Sequence, residues 1–412
     1  MLEPPSLGFK GLLERAYRRA HDAGVPEVGT DLVLNCTTYK VKGSDGQFLL
    51  SPLFTNVRWR GESARTDPPP PSTEWEACFG EDVAFEAAAA LGEAAGYGGA
   101  TRRVRSRHKN VPLPVFSMTV RYAVHDAIAR AADQEGGHAE PRHLVAAMSK
   151  LSGPAAELLP HWVPRQDLQR IESGHDLQLD DSRSMPWAVG GLTGVRVLPA
   201  PGPRLLRGPW RLLAWWLGSY LRRPYRRHGA RYGHPMLQLI EGNVYSKALQ
   251  LDHGTATAAH VLLSLIDLHE QLASCDRPLP EEVARWNQAG LILAAHDVRL
   301  RPAARAAARL EPEPGDAEHD LTGLPTQGWP PPRTARVGAP TLGRTALAAL
   351  RQASLAAHRL GHPYAGTTHL LAALLEEPNG PAARLLHQLG IDSDTIRAEA
   401  AHNLESQTSE PR

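Results

Sequence analysis

The chain has 412 residues, too many for one hydrophobic core, so two or three domains are expected. With 45 basic and 44 acidic residues its formal charge is +1, which excludes a general electrostatic pull toward nucleic acid or membrane. Three scattered cysteines, Cys36, Cys78 and Cys275, stand in no metal-binding spacing, so they exclude a disulfide framework and fit a reducing compartment.

Met1 to Pro5 carries neither the basic nor the apolar region of a secretory signal. No apolar run approaches the roughly 18 residues of a spanning helix, and a soluble, cytoplasmic protein is expected. Ser6 can cap a first helix with Leu12, Leu13, Ala16, Tyr17 and Ala20 on one stripe, ending at Gly24. From Tyr39 to Arg60 apolar residues lie among Gly, Ser and Asn, which suits a short inserted hairpin. Asp67 opens a stiff run of four prolines, and an alanine-rich helix is expected from about Asp82 to Ala95. Arg102, Arg103, Arg105, Arg107 and Lys109 form a basic patch. Val120, Val124, Ala127, Ile128 and Ala131 then repeat the helical stripe ahead of His143.

Between Asp181 and Glu241 there is no acidic residue, while arginines accumulate around a short aromatic helix. Trp215, Trp216, Arg222, Arg223, Arg226 and Arg227 make it a basic, aromatic surface with three readings. It can lie on an anionic membrane, grip nucleic acid, or pack as an interdomain helix. Leu237, Ile240, Val244, Ala248 and Leu251 give a further stripe, followed by His253 and His260 and by a trailing helix near Glu281 to Ala295. The eight prolines between Arg301 and Pro340 read as a mostly irregular connector.

From Thr341 to Ala401 every helix start and stop has a chemical signal. Leu347, Leu350, Ala353, Ala357 and Leu360 form one stripe ending at Gly361. Thr367 follows Gly366 as an N-cap candidate for a helix with Leu370, Leu371, Leu374 and Leu375. Pro381 suits a first helical position, and Asp392 or Ser393 can cap a fourth helix. The tail after Asn403 is polar and expected to fray. The string Leu360-Gly361-His362-Pro363-Tyr364-Ala365-Gly366-Thr367-Thr368-His369-Leu370-Leu371 resembles one repeat of the Clp N-terminal domain, the all-helical module at the front of Clp-type unfoldases.

That resemblance implies pairing of two such repeats in one globular domain, and the chain offers four repeat-like units. They lie at about 6–36, 117–171, 235–295 and 341–401. The expected fold is all-α: tandem pseudo-twofold Clp N-terminal-like helical domains with irregular inserts. One domain covers 1–175 with an insertion at 39–115, a basic linker covers 176–234, and a second domain covers 235–403 before a tail at 404–412.

The 412 residues contain no phosphate loop, no G-x-S-x-G elbow and no zinc helix, so no catalytic residue, cofactor or metal is expected. His143, His260 and His369 share one position in three units. A titrating switch or ligand is one reading, and packing with hydrogen bonding between helices is the favoured one. The resemblance implies peptide reception at the start of each second helix, where an acid after the Gly-Thr pair can hold a guanidinium. That acid is Asp31 in the first unit, but Arg142, Ala259 and Thr368 elsewhere, which favours apolar or cyclic peptides over phosphoarginine. Thr30, Asp31, Tyr364, Thr367, Thr368 and His369 are thus the peptide-binding candidates. The expected role is a non-enzymatic Clp-system adaptor or a decoy for cyclic-peptide antibiotics, with a DNA-associated regulator using 182–240 as the alternative.

Overall fold

A computed structural model describes residues 2, 5–36, 38–42, 48–52, 67, 75–100, 113–133, 137–152, 187–194, 197–198, 235–310 and 340–408. The chain divides into two compact units. One comprises Met1–Met185 with Leu249–Asp252 and Ala335–Ala339, the other Pro186–Ala248, His253–Thr334 and Pro340–Arg412. Both are all-α, stitched by very short strands.

In the first unit, the Ser6 hydroxyl accepts the Phe9 amide at 3.2 Å and starts α1 (Leu7–Ala23). Gly24 ends that helix at φ 70°, a left-handed turn that costs glycine little. There follow β1 (Glu27–Val28), α2 (Thr30–Asn35) and an antiparallel hairpin of β2 (Thr38–Lys42) and β3 (Phe48–Pro52). The inserted hairpin expected from the sequence therefore forms. A 3-10 turn at Trp75–Cys78 precedes α3 (Glu81–Ala100), β4 (Val115–Phe116), α4 (Met118–Ala132) and α5 (Pro141–Ser149). The core draws Phe9, Leu13 and Tyr17 from α1, Leu32 and Leu34 from α2, Ala90 from α3, Val124 from α4, and Leu144 and Met148 from α5.

The second unit holds α6 (Trp187–Gly194), α7 (Pro235–Gln250) as far as Ala248, β5 (Thr255–Ala256), α8 (Ala258–Ser274), α9 (Glu281–Ala284), α10 (Ala289–Ala295) and α11 (Leu300–Ala308). After the connector come β6 (Thr341–Leu342), α12 (Arg344–Arg359), α13 (Thr367–Leu374), α14 (Pro381–Gln388) and α15 (Ser393–Thr408).

The two units share one topological device. In each, a two-residue strand that follows the first helix pairs in parallel with a two-residue strand that precedes a later helix. Glu27 and Val28 pair with Val115 and Phe116, and Thr255 and Ala256 pair with Thr341 and Leu342. A two-residue ladder cannot stand alone, so it acts as a stitch between helix pairs that bury each other's stripes. Left-handed residues mark equivalent corners: Gly24, Asp252 and Gly361 after the first helices, at φ 70°, 56° and 70°. Asp297 and Gly390 do the same after α10 and α14, at φ 54° and 74°.

Three sequence readings are corrected. Residues 301–308 are helical in α11, not irregular connector, because Pro302 falls in the first turn, where no intrahelical N–H is missed, and an alanine-rich run follows. The trailing helix is two helices, α9 and α10, separated by Arg285–Gln288. The tail continues as helix to Thr408, Asp392 capping α15 by accepting the Thr395 hydroxyl at 2.6 Å and the Asp394 and Thr395 amides. Those three bonds, the hydroxyl foremost, hold the Asp392 carboxyl below its ordinary pKa. The rest of the connector, 311–339, lies outside the described residues.

Candidate functional site

The first four amides of a helix have no partner within it, and α2, α5, α8 and α13 satisfy theirs in related ways. At α13 the N-cap is Gly366, and Thr367 is the first helical residue rather than the cap itself. The cap is supplied from three residues ahead: the Gly366 amide donates to Nδ1 of His369 at 3.1 Å. The same bond joins Thr257 to His260 at 2.9 Å in α8 and Glu140 to His143 at 3.0 Å in α5. The three equivalent histidines are therefore helix-capping groups.

A backbone amide can only donate, so Nδ1 of each of these rings is unprotonated and the neutral ring carries its proton on Nε2. In the second unit that proton is used again. His369 donates from Nε2 to Nδ1 of His362 at 2.8 Å, and His260 donates to His253 at 3.0 Å. Burial, then the neighbouring His253, lowers the His260 pKa to about 3. Burial, then His362, lowers His369 to about 4. His143 is shifted in the same direction, by burial and then by Arg142.

The next two amides of α13 are bound from outside the helix. Thr367 donates to the Asn287 side-chain oxygen at 2.9 Å, and Thr368 donates to the Trp286 carbonyl at 3.2 Å. In return, the Gln288 amide donates to the Thr368 hydroxyl at 2.9 Å. The Trp286 ring lies on His362, centroids 3.9 Å apart, and the Arg285 guanidinium stands 5.2 Å from the centre of the same indole. Tyr364 donates from its hydroxyl to the Glu282 carbonyl at 3.3 Å, and burial followed by the Glu282 charge raises its pKa. Thr367, Thr368 and His369 are accordingly buried, at 2%, 1% and 0% exposure, under the Glu281–Gln288 segment.

In the first unit, Thr30 is likewise the first helical residue, with Gly29 as N-cap. Its amide and hydroxyl donate to the two oxygens of Asp67, at 2.8 and 2.6 Å, and the Ser117 hydroxyl adds a third bond at 2.6 Å. Asp31 accepts the Leu32 amide at 2.8 Å and is half-buried. In α8 the corresponding amide, Ala258, donates to the Thr345 hydroxyl at 3.2 Å, and in α5 the position is Pro141, which has no amide. The structure thus brings Tyr364, Thr367, Thr368 and His369 together, and places Thr30 and Asp31 at an equivalent helix start in the other unit.

Sequence reasoning missed Asp67, Trp286 and Asn287, all distant in the chain from the helix starts they serve. Trp215, Trp216, Arg222, Arg223, Arg226 and Arg227 lie outside the described residues. Among the described residues no three His, Cys, Asp or Glu side chains gather as a metal would require. Among them, too, no helix is long and apolar enough to cross a membrane.

Residues 342–412 match the family described as the Clp repeat (R) N-terminal domain. The ATP-dependent Clp protease ATP-binding subunit ClpA homolog of Porphyra purpurea is 50% identical over 48 residues, 12% of this chain and 6% of that protein. The chloroplastic chaperone protein ClpC1 of Oryza sativa subsp. japonica is 51% identical over 43 residues, 10% of this chain and 5% of that protein. The chain thus spans only a small fraction of these relatives. The crystal structure of the N-terminal domain of the caseinolytic protease associated chaperone ClpD from Arabidopsis thaliana aligns with 43% of this chain and 96% of that one. Its sequence identity is 14% and its TM-score 0.30.

Proposed function

We propose that this chain, whose residues 342–412 are a Clp repeat of the N-terminal type, is a protein-interaction component of a Clp system that receives peptide segments and catalyses nothing itself. It acts as an adaptor that brings clients to a Clp unfoldase, or as a decoy that sequesters peptides and cyclic-peptide antibiotics aimed at the unfoldase. The observation that carries this reading is the Clp-repeat plan of α12–α15, with a helix start whose half-buried rim (His362, Tyr364) is aromatic and polar. The absence of a phosphate loop from these 412 residues fits recognition without turnover.

The test uses the intact chain and a purified Clp unfoldase with its peptidase. Degradation of an unfolded substrate is followed while the chain is added. A saturable rise identifies an adaptor and a saturable fall a decoy. An unchanged rate with no complex on size-exclusion chromatography overturns the reading, as does nucleotide hydrolysis by the chain alone.

A further inference from the structure

The third and fourth repeats differ in one respect that bears on the site. From the capping His260 to Gln288, the N-cap of α10, is 28 residues, whereas from His369 to Gly380, the N-cap of α14, is only 11. The extra residues lengthen α8, add α9, and end in Arg285-Trp286-Asn287-Gln288. That end bonds to the start of a helix other than its own α8. It lies across the start of α13, in the fourth repeat, and makes the contacts a bound peptide makes: a backbone carbonyl and a side-chain amide on two helix-start amides, a backbone amide on a threonine hydroxyl, and a ring on a ring. The approach is so close that a Cβ on Gly366 would collide with the Trp286 carbonyl. Trp286 and Asn287 are buried in the process, at 7% and 9% exposure, whereas Glu281 and Glu282 face solvent.

We infer that Glu281–Gln288 is a built-in occupant of a peptide-docking site at the start of α13, closing it until displaced. The inference further assigns that site's ligand class: a turned segment with an aromatic side chain followed by a carboxamide side chain. It rests on the peptide-binding reading above and adds both the specificity and the regulation of the site. The aromatic ring is read by His362, beside which an indole stacks at 3.9 Å. The carboxamide is read by the Thr367 amide, which only an acceptor can satisfy. A competing peptide meets an apparent affinity reduced by the fraction of time the segment is out.

The experiment uses the intact chain and a fluorescent octapeptide, Glu-Glu-Val-Ala-Arg-Trp-Asn-Gln, which copies residues 281–288. Binding is compared between the wild type and a Trp286→Ala/Asn287→Ala variant. The inference expects at least about tenfold tighter binding to the variant, and loss of that gain when the peptide's own Trp and Asn are alanine. Equal affinity for both proteins, or no binding to a folded variant, overturns it. If the variant does not fold, amide exchange of the wild type decides. Gln288, Thr367 and Thr368 are expected to share one protection factor within about threefold, at least about tenfold below that of Leu371. Exchange of any of the three only with the core overturns the inference. Octapeptide binding to the opened chain with no effect on Clp degradation would leave this device standing and remove the proposed function instead.

Discussion

His369 donates a hydrogen bond from Nε2 to Nδ1 of His362 across 2.8 Å, while its own Nδ1 accepts the Gly366 amide. Accepting that amide requires a neutral His369. Protonation would set an N–H against the Gly366 N–H, and burial already pushes the pKa from 6.5 to about 4. The unfolded chain therefore binds this proton more readily than the folded one. Stability is full above about pH 6.5, falls as pH drops through that value, and levels off below about 4, a change of about 3 kcal/mol from this residue. His260, lowered to about 3, adds in the same direction. Urea midpoints between pH 4 and 7 check this. His369→Gln should flatten the pH dependence of the second unit's transition, and an unaltered slope would refute the tautomer assignment.

Lys247 and Asp267 form an ion pair at 2.7 Å with side chains only 3% and 5% exposed. Gln271 and Asn243 also donate to the Asp267 carboxylate, and Gln271 in turn accepts the Ala188 amide, tying α6, α7 and α8 together. Removing one partner leaves the other charge buried. Lys247→Met is expected to cost about 3–5 kcal/mol, and Lys247→Met/Asp267→Leu to recover most of it. Thermal melts of the three proteins test this. A single variant as stable as the wild type would contradict the buried geometry.

Two glycines are required for different reasons. Gly361 sits at φ 70° with nothing within 4 Å of the position a Cβ would take, so Gly361→Ala meets only backbone strain, about 1 kcal/mol. Gly366 has φ −102°, which alanine accepts, but its Cβ would displace the Trp286 carbonyl. Gly366→Ala is expected to cost about 1–3 kcal/mol and to expose Trp286, read as a red shift of its fluorescence. Gly361→Ala should leave that emission unchanged.

The segment 341–401 is legible in the sequence because Gly361, Gly366, Pro381 and Gly390 each announce a helix boundary chemically. Its Gly366-Thr367 pair is only half legible. Thr367 has the composition of an N-cap, yet His369 takes the capping bond, so the threonine moves into the helix. The His362–His369 pair is hidden because its spacing of seven crosses a turn that only the fold closes. Trp286 and Asn287 are invisible as site residues, since 80 residues separate Asn287 from Thr367. Helix α11 is masked by its own Pro302, which has the composition of a connector although first turns tolerate it.

Asp67 presents the same kind of long-range closure in the first unit, 37 residues from Thr30. Its two oxygens accept from three donors, so an amide in its place must turn an N–H toward one of them. Asp67→Asn is expected to lower stability by about 1–3 kcal/mol, measured by urea unfolding of the intact chain. A neutral result would mean that Thr30 and Ser117 find other acceptors.

The claim that this chain docks peptides is tested most directly by calorimetry of the intact protein and of Trp286→Ala/Asn287→Ala with a cyclic peptide and with a phosphoarginine peptide. The account predicts saturable heat with the cyclic peptide, about tenfold tighter on the opened variant, and weaker or no binding of the phosphoarginine peptide. No heat from either peptide on either protein would contradict it.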